Sequence, residues 1–236
     1  MRIAILADIH GNETALQAVL EDLAQQPPID QIVIAGDLCL NGPDPKEVLT
    51  TIQELPATVV QGNVDADVAQ HNEKNGLKKQ SVAAWTREQI GSEGIAYLAA
   101  LPHAYTVANP EGSDLLVVHA NPLNQEDAIL PNLSESKLEQ LLGDLPPTIG
   151  ALAFGHYHVA YQRRWRHLLL VDAGSCGLPR DGDPRASYAI LTWQDGTWQA
   201  EHRRVRYNLK AVAKRLKNCG IPNADKRVKV LTEAKY

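Results

Sequence analysis

Five short apolar runs, each followed by a potential metal ligand, constrain the fold of this chain more than any other feature. The runs are β-branched or aliphatic and are bounded by turn residues, which predicts buried strands. They cover residues 3–7, 32–35, 58–60, 115–118 and 151–154, and they lead into Asp8-Ile9-His10, Gly36-Asp37, Gly62-Asn63, His119 and Gly155-His156-Tyr157-His158. In open α/β sheets, ligands bind beyond the carboxyl ends of the strands. We therefore expect these side chains to converge at one sheet edge.

The residue types in this set predict a site for two divalent metal ions. Two ions held roughly 3.5–4 Å apart need an anionic bridge, and their other ligands must leave positions for water and substrate oxygens. Asp37 is the expected bridge. The first ion is expected to bind Asp8, His10 and one histidine of the pair His156 and His158. The second is expected to bind Asn63, His119 and the other histidine of that pair. Mixed nitrogen and oxygen ligands without cysteine suit manganese, iron, zinc or cobalt better than calcium. Manganese is the first expectation, and nickel is a further alternative.

Glycine precedes three of these ligands. Gly36, Gly62 and Gly155 stand directly before Asp37, Asn63 and His156. A residue without Cβ lets the chain turn sharply and approach an ion closely. We expect these glycines to serve the site through their backbone.

This ordered set resembles the calcineurin-like metallophosphoesterase superfamily. Further segments, at residues 36–48, 84–88 and 174–188, resemble its small, single-domain bacterial and archaeal subgroup, and the resemblance spans residues 1–207. It implies a four-layered α-β-β-α sandwich, in which two packed mixed β-sheets are flanked by helices and the metal site lies at the carboxyl ends of the strands. It also implies that the first ion takes Asp8, His10, Asp37 and His158, and the second Asp37, Asn63, His119 and His156.

The resemblance also implies an enzyme that hydrolyses phosphoric esters or anhydrides. A hydroxide shared by the two ions would attack phosphorus, with Asp37, Asn63 and His119 as the expected catalytic residues. The expected substrates are small, nucleotide-type phosphodiesters or phosphoanhydrides. A phosphomonoesterase, including a protein phosphatase, is the enzymatic alternative. A metal-binding scaffold that acts through protein partners is the non-catalytic one.

Val64 departs from the superfamily pattern. Many members have histidine at this place in the Gly-Asn-x-Asp segment, where it protonates the leaving oxygen, and valine has no proton to donate. General-acid assistance contributes about 100- to 10,000-fold and matters most for basic leaving groups, so we expect good leaving groups to be preferred. His71 is an alternative proton donor. Asp65, without its usual partner, is expected to cap a helix that begins near Ala66.

The turn-rich segment 174–185 carries two arginines, Arg180 and Arg185, among aspartates, Gly182 and Pro184. Guanidinium groups bind phosphate oxygens in a bidentate manner. Both arginines, together with Asn63, are therefore candidates for substrate binding. The alternative is an Arg–Asp network that only rigidifies the loop.

Periodicity outside the five runs predicts the remaining elements. Strand and helix are expected to alternate up to about residue 60, with the first helix from residue 12 to 26. Helices are also expected from 66 to 101, with a break at Gly91, and from 133 to 142, and strands at 168–171, 187–192 and 198–205. The chain has 236 residues, of which 44% are hydrophobic, enough for one full core. It has no signal-peptide pattern and no apolar stretch of membrane length. Three cysteines at unrelated spacings indicate no disulfide, so we expect a cytoplasmic protein without membrane contact.

The C-terminal segment, residues 208–236, differs from the rest in charge. It holds eight Lys/Arg and two Asp/Glu, whereas the preceding 207 residues hold 15 and 26. Asn208 as a cap, with Leu209, Val212 and Leu216 at helical spacing, predicts a basic amphipathic helix that ends near Gly220 and packs on the domain of residues 1–207. The acidic body argues against general nucleic-acid binding. The sequence leaves the oligomeric state open.

Overall fold

The computed structural model describes residues 1–70 and 81–235, and within them the chain forms ten strands and seven helices. The strands are β1 (Arg2–Leu6), β2 (Gln31–Ile34), β3 (Ala57–Val59), β4 (Ala104–Val107), β5 (Asp114–Val118), β6 (Ile149–Phe154), β7 (Tyr161–Trp165), β8 (Leu168–Asp172), β9 (Ala186–Gln194) and β10 (Thr197–Val205). The helices are α1 (Glu13–Ala24), α2 (Pro45–Glu54), α3 (Asn63–Gln70), α4 (Val82–Ala100), α5 (Glu135–Leu142), α6 (Leu209–Asn218) and α7 (Ala224–Glu233).

The strands form two five-stranded mixed sheets. The first has the order β10-β9-β1-β2-β3, in which β1, β2 and β3 are parallel and β9 and β10 are antiparallel. The second has the order β4-β5-β6-β8-β7, with β5, β6 and β8 parallel and antiparallel strands at both edges. The predicted pair of mixed sheets is confirmed.

Alternation along β1 shows how the layers stack, because successive strand side chains point to opposite faces. Ile3 and Ile5 lie in the core between the two sheets. Ala4 and Leu6 face the other way and pack with the buried faces of α1, α2 and α4. Another core, which includes Leu138 of α5, covers the outer face of the second sheet. The order helix, sheet, sheet, helix is the predicted four-layered sandwich.

Three elements were not predicted from the sequence. The edge strands β4 and β7 alternate between exposed and covered residues, so neither presents a continuous apolar run. Helix α7 follows Gly220 and Pro222, which indicate a helix end, and the chain starts a new helix two residues later. The predicted break at Gly91 is confirmed, since this residue has a φ of 66° inside α4.

Helices α6 and α7 pack on the rest of the chain through an apolar cluster. Val212, Leu216 and Leu231 are buried there together with Leu178, and Trp85 of α4 packs against them. Arg215 of α6 also forms an ion pair with the buried Asp44. The domain boundary at residue 207 stays a prediction. In the described part of the chain, every helix is too short or too polar to cross a membrane.

Shortening a buried side chain of this cluster should destabilise the whole protein. Leu216 is 2% exposed, so Leu216→Ala leaves a cavity and should lower the free energy of unfolding by about 2–5 kcal/mol. Urea denaturation measures the change. Leu123→Ala is the matched control, because Leu123 is 61% exposed and its truncation should change the free energy by less than about 0.5 kcal/mol. Equal effects of both substitutions would show that α6 is not packed as described.

Candidate metal centre

The seven predicted metal ligands lie at the carboxyl ends of neighbouring strands. Asp8 and His10 follow β1 and Asp37 follows β2, while Asn63 opens α3 shortly after β3. In the second sheet, His119 follows β5, and His156 and His158 follow β6. The two sheets pack face to face, so these ends meet and the seven side chains come together.

One group consists of Asp8, His10, Asp37 and His158. All four are buried, and one potential ligand atom from each lies within 4.8 Å of those of the others. The Nε2 atoms of His10 and His158 are 3.1 Å apart. Nε2 of His158 is 3.3 Å from Oδ1 of Asp8, and Nε2 of His10 is 3.7 Å from Oδ2 of Asp37.

A second group consists of Asp37, Asn63, His119 and His156. Nε2 of His119 lies 3.4 Å from Oδ1 of Asp37, 3.0 Å from Oδ1 of Asn63 and 3.2 Å from Nδ1 of His156. Asp37 therefore presents Oδ2 to the first group and Oδ1 to the second. This is the position that a bridging carboxylate must occupy.

Backbone carbonyls fix the tautomers of the histidines. Nδ1 of His10 contacts the carbonyl oxygen of Leu40 at 2.8 Å, and Nδ1 of His158 contacts that of Leu178 at 2.7 Å. A carbonyl oxygen only accepts hydrogen bonds, so each Nδ1 carries the proton and each Nε2 carries a lone pair. His119 is oriented in the same way by the carbonyl of Ala35, at 2.7 Å.

The lone pairs that result face one another without a proton between them. The Nε2 atoms of His10 and His158 are two acceptors in contact, as are Nε2 of His119 and Oδ1 of Asn63. Oδ1 of Asp8 is buried and accepts no hydrogen bond from the described residues. Cations placed among these atoms satisfy all of them at once. The donor set therefore fits divalent metal ions.

Burial gives the histidines the protonation state that metal ligation needs. It lowers the pKa of His10 to about 3 and that of His119 to about 4, so both imidazoles are neutral at pH 7. Burial, together with the charges of Asp8 and Asp65, raises the pKa of Asp37 well above its usual range. A divalent cation beside Asp37 would stabilise the carboxylate and reverse this effect.

Five of the seven residues have left-handed backbone conformations. The φ angles are 54° at Asp8, 49° at His10, 58° at Asp37, 70° at His156 and 60° at His158. Each non-glycine residue held in this way costs about 1–3 kcal/mol, and such strain concentrates at functional sites. The packed sheets and the hydrogen bonds of the loops hold the strained turns in place.

The glycines before the ligands allow backbone and ligand to touch. A Cβ on Gly62 would lie 2.1 Å from Oδ1 of Asp37, and one on Gly155 would lie 2.4 Å from Oδ2 of Asp8. Both distances are far below van der Waals contact. Any side chain at these positions would displace a carboxylate of the site.

The predicted role of Asp65 as a helix cap is wrong. Helix α3 begins at Asn63, so Asp65 lies inside its first turn. Its carboxylate accepts hydrogen bonds from the backbone N–H groups of Asp37, Leu38 and Gly62, at 2.8, 2.9 and 3.0 Å. Asp65 therefore ties the loop that carries Asp37 to the loop that carries Asn63. Burial raises the pKa of Asp65 to about 6 despite these bonds.

Sequence reasoning missed Glu126. Its carboxylate accepts a hydrogen bond of 3.3 Å from the amide nitrogen of Asn63, which turns the amide oxygen of Asn63 toward His119. Its backbone oxygen accepts a hydrogen bond of 2.8 Å from Nε2 of His156, which leaves Nδ1 of His156 as the acceptor. The polar segment after His119 was the available signal, but nothing in it singles out Glu126.

The two loop arginines have different surroundings. Arg185 is exposed and donates to the carboxylate of Asp183 from Nε at 3.0 Å and from Nη2 at 2.6 Å, an arrangement that favours the loop-network alternative. The backbone N–H of Arg180 donates to the carbonyl of His158 at 3.0 Å, and Nη1 donates to the carbonyl of Lys235. Arg180 therefore adjoins the metal centre. His71, the alternative proton donor, lies outside the described residues.

Comparison with known proteins agrees with a phosphoesterase fold. Residues 1–196 match the Calcineurin-like phosphoesterase superfamily domain. An uncharacterised protein of Methanocaldococcus jannaschii is 30% identical over 236 residues, which cover 92% of each chain. A metallophosphoesterase structure from Sphaerobacter thermophilus superposes with a TM-score of 0.80 at 28% identity and 99% coverage of both chains. A phosphodiesterase of Escherichia coli is 25% identical over 201 residues, 81% of this chain and 87% of that one.

The chain belongs to the calcineurin-like phosphoesterase superfamily. It is therefore a hydrolase of phosphoric esters, as the sequence predicted. Enzymes of this superfamily use divalent metal ions, and the buried cluster of Asp8, His10, Asp37 and His158 is suited to hold one.

Replacing the shared carboxylate should impair both halves of the site. Because Asp37 faces both groups, Asp37→Asn should reduce bound manganese from two ions per chain to less than one, with turnover lost, whereas His119→Ala should mainly weaken one ion. Elemental analysis after dialysis against manganese measures the content. His103→Ala, at an exposed histidine, is the control and should retain both ions. Two bound ions and full turnover in Asp37→Asn would contradict the shared-ligand assignment.

Proposed function

We propose that this protein hydrolyses phosphodiester or phosphoanhydride bonds of small, nucleotide-type substrates with the help of two divalent ions, of which manganese is the first candidate. The observation that carries the proposal is the position of Asp37 between the two ligand groups, Oδ2 toward His10 and Oδ1 toward His119. Asp8, His10 and His158 complete the first metal site. Asn63, His119 and His156 complete the second.

The bound ions supply a Lewis acid for the phosphoryl oxygens and lower the pKa of the attacking water. The protein itself orients the metal ligands and stabilises charge on the phosphoryl group. Neutral His10 and His119 are held by the carbonyls of Leu40 and Ala35, so their lone pairs are in place before substrate arrives. Asn63, held by Glu126, presents its amide at the rim of the centre, where it contributes to the stabilisation of charge on the phosphoryl group.

The absence of a proton donor at Val64 affects which leaving groups the enzyme can expel. Val64 sits in the first turn of α3 beside Asn63, and its backbone N–H donates to Oδ1 of Asp37 at 3.2 Å. Its side chain has no proton for the departing oxygen. Leaving groups that depart as stable anions, such as nucleotide phosphates and aryloxides, depend least on this proton. This supports anhydrides and activated diesters over alkyl esters and phosphoproteins.

A substrate panel tests the proposed function directly. The manganese-loaded enzyme should hydrolyse bis(p-nitrophenyl) phosphate and dinucleoside polyphosphates with a kcat/KM at least about 100-fold above that for alkyl phosphomonoesters and phosphopeptides, since a single general-acid step contributes this much. Phosphate and nucleotide release measure turnover. Asp37→Asn serves as the inactive control. A preference for phosphopeptides would instead identify a protein phosphatase, and no metal-dependent turnover of any compound would indicate the scaffold.

Installing the missing acid should change the dependence of rate on leaving-group pKa. Val64→His should flatten that dependence and help alkyl diesters most. Because the carboxylate of Asp65 already accepts three backbone hydrogen bonds, the new imidazole lacks an orienting partner. We therefore expect a gain below the full range of about 100- to 10,000-fold.

A series of aryl and alkyl phosphodiesters, measured with both enzymes, gives the slopes for this test. Ala66→His places an imidazole elsewhere on the same helix and is the control. A shallow slope in the unmodified enzyme would show that another group already donates the proton, and the anhydride preference would lose its basis.

A further inference from the structure

A cationic cavity lies against helix α7, close to the metal centre. It has a volume of about 240 Å³ and is lined by Arg180, Lys226 and Arg227, with Asn41 and Leu178 also in its wall. We call it the α7 cavity. Among its described lining residues there is no carboxylate. Every charged side chain described in its wall is therefore cationic.

The α7 cavity adjoins the histidines of the first metal site. The carbonyl of Leu178 accepts the hydrogen bond from Nδ1 of His158, and Asn41 follows Leu40, whose carbonyl accepts that from His10. A smaller space, lined by His10, shares Asn41, Leu178 and Arg227 with the cavity. The α7 cavity and the surroundings of His10 and His158 therefore share wall residues.

Arg227 pairs with no carboxylate in the described part of the chain. The guanidinium is half-buried and donates from Nη1 to the side-chain oxygen of Asn41 at 2.6 Å and from Nε to the carbonyl of Pro222 at 3.0 Å, both neutral acceptors. Burial lowers the pKa of Arg227 below its usual value. A buried cation without a counter-charge is unfavourable, and an anion in the cavity would relieve it.

Three neighbouring cations on α6 and α7 do pair with carboxylates. Arg215 pairs with Asp44, Lys217 with Asp225 and Lys229 with Glu233. Within residues 1–70 and 81–235, neither Lys226 nor Arg227 forms an ion pair with a carboxylate. The unpaired cations of this helix are thus the two that line the α7 cavity.

We propose that the α7 cavity binds a phosphate group of the substrate other than the one being cleaved, held by Arg227 and Lys226 from α7 and faced by Arg180. The proposal rests on the proposed function and narrows its substrate class to nucleotides with a polyphosphate chain. Arginine binds phosphate oxygens in a bidentate manner. The volume is below the roughly 300–1,000 Å³ that encloses a drug-sized ligand. The cavity therefore suits a phosphate or diphosphate unit, and the nucleoside lies outside it.

Binding of inorganic triphosphate to the metal-free protein tests the cavity separately from catalysis. The protein is stripped of metal with a chelator, desalted and titrated calorimetrically. Lys226→Ala and Arg227→Ala should each raise Kd about tenfold or more, because each removes a charge-assisted contact. Lys229→Ala is the matched control, since Lys229 lies on the same helix outside the cavity, and its Kd should stay within about twofold. No binding by the wild type, or equal weakening in all three variants, would overturn the proposal.

Turnover of two substrates then links the cavity to catalysis. The ratio of kcat/KM for diadenosine tetraphosphate to that for bis(p-nitrophenyl) phosphate, which has a single phosphate, should fall about tenfold in Lys226→Ala and stay constant in Lys229→Ala. A constant ratio in Lys226→Ala, with both compounds hydrolysed, would refute the cavity and leave the proposed function intact. No hydrolysis of either compound would refute the proposed function, and the calorimetry would still decide the cavity. Lys226 is exposed, so this variant is expected to fold even where Arg227→Ala does not.

Discussion

The close approach of unprotonated nitrogen and oxygen atoms around Asp37 is the interaction on which the rest of the site depends. The Nδ1–H groups of three histidines donate hydrogen bonds to the backbone carbonyls of Leu40, Ala35 and Leu178, and this leaves their Nε2 atoms directed at carboxylate and amide oxygens. Such an arrangement is repulsive by itself. Two packed sheets, strained left-handed turns and closely packed glycines all hold it in place, and bound divalent cations would turn the repulsion into attraction.

Much of this arrangement could be predicted from the sequence, since it depends on local patterns. A buried strand appears as an apolar run, and a ligand at its carboxyl end is the next polar residue, as with Asp8 after β1 and His119 after β5. Parallel strands then place distant positions side by side. The sequence therefore indicated the two mixed sheets and the residues that converge, although their binding of metal remains a proposal.

Other features depend on tertiary contacts that leave no periodic signal. Asp65 looked like a helix cap, but its carboxylate joins two loops through three backbone N–H groups. Glu126 supports Asn63 and His156 from a segment without regular structure. Helix α7 follows residues that normally end a helix, and only the tertiary fold brings its Arg227 to a space that His10 also lines. The basic C-terminal segment thus carries the two cations that we propose to bind a substrate phosphate.

The central claim is that two cations occupy the space around Asp37, and anomalous scattering tests it most directly. Crystals grown with manganese and measured near its absorption edge should show two anomalous peaks about 3.5–4 Å apart, one on each side of the Asp37 carboxylate. One peak should lie among Asp8, His10 and His158, and the other among Asn63, His119 and His156. A single peak away from Asp37, or no peak in crystals saturated with manganese, would contradict the account.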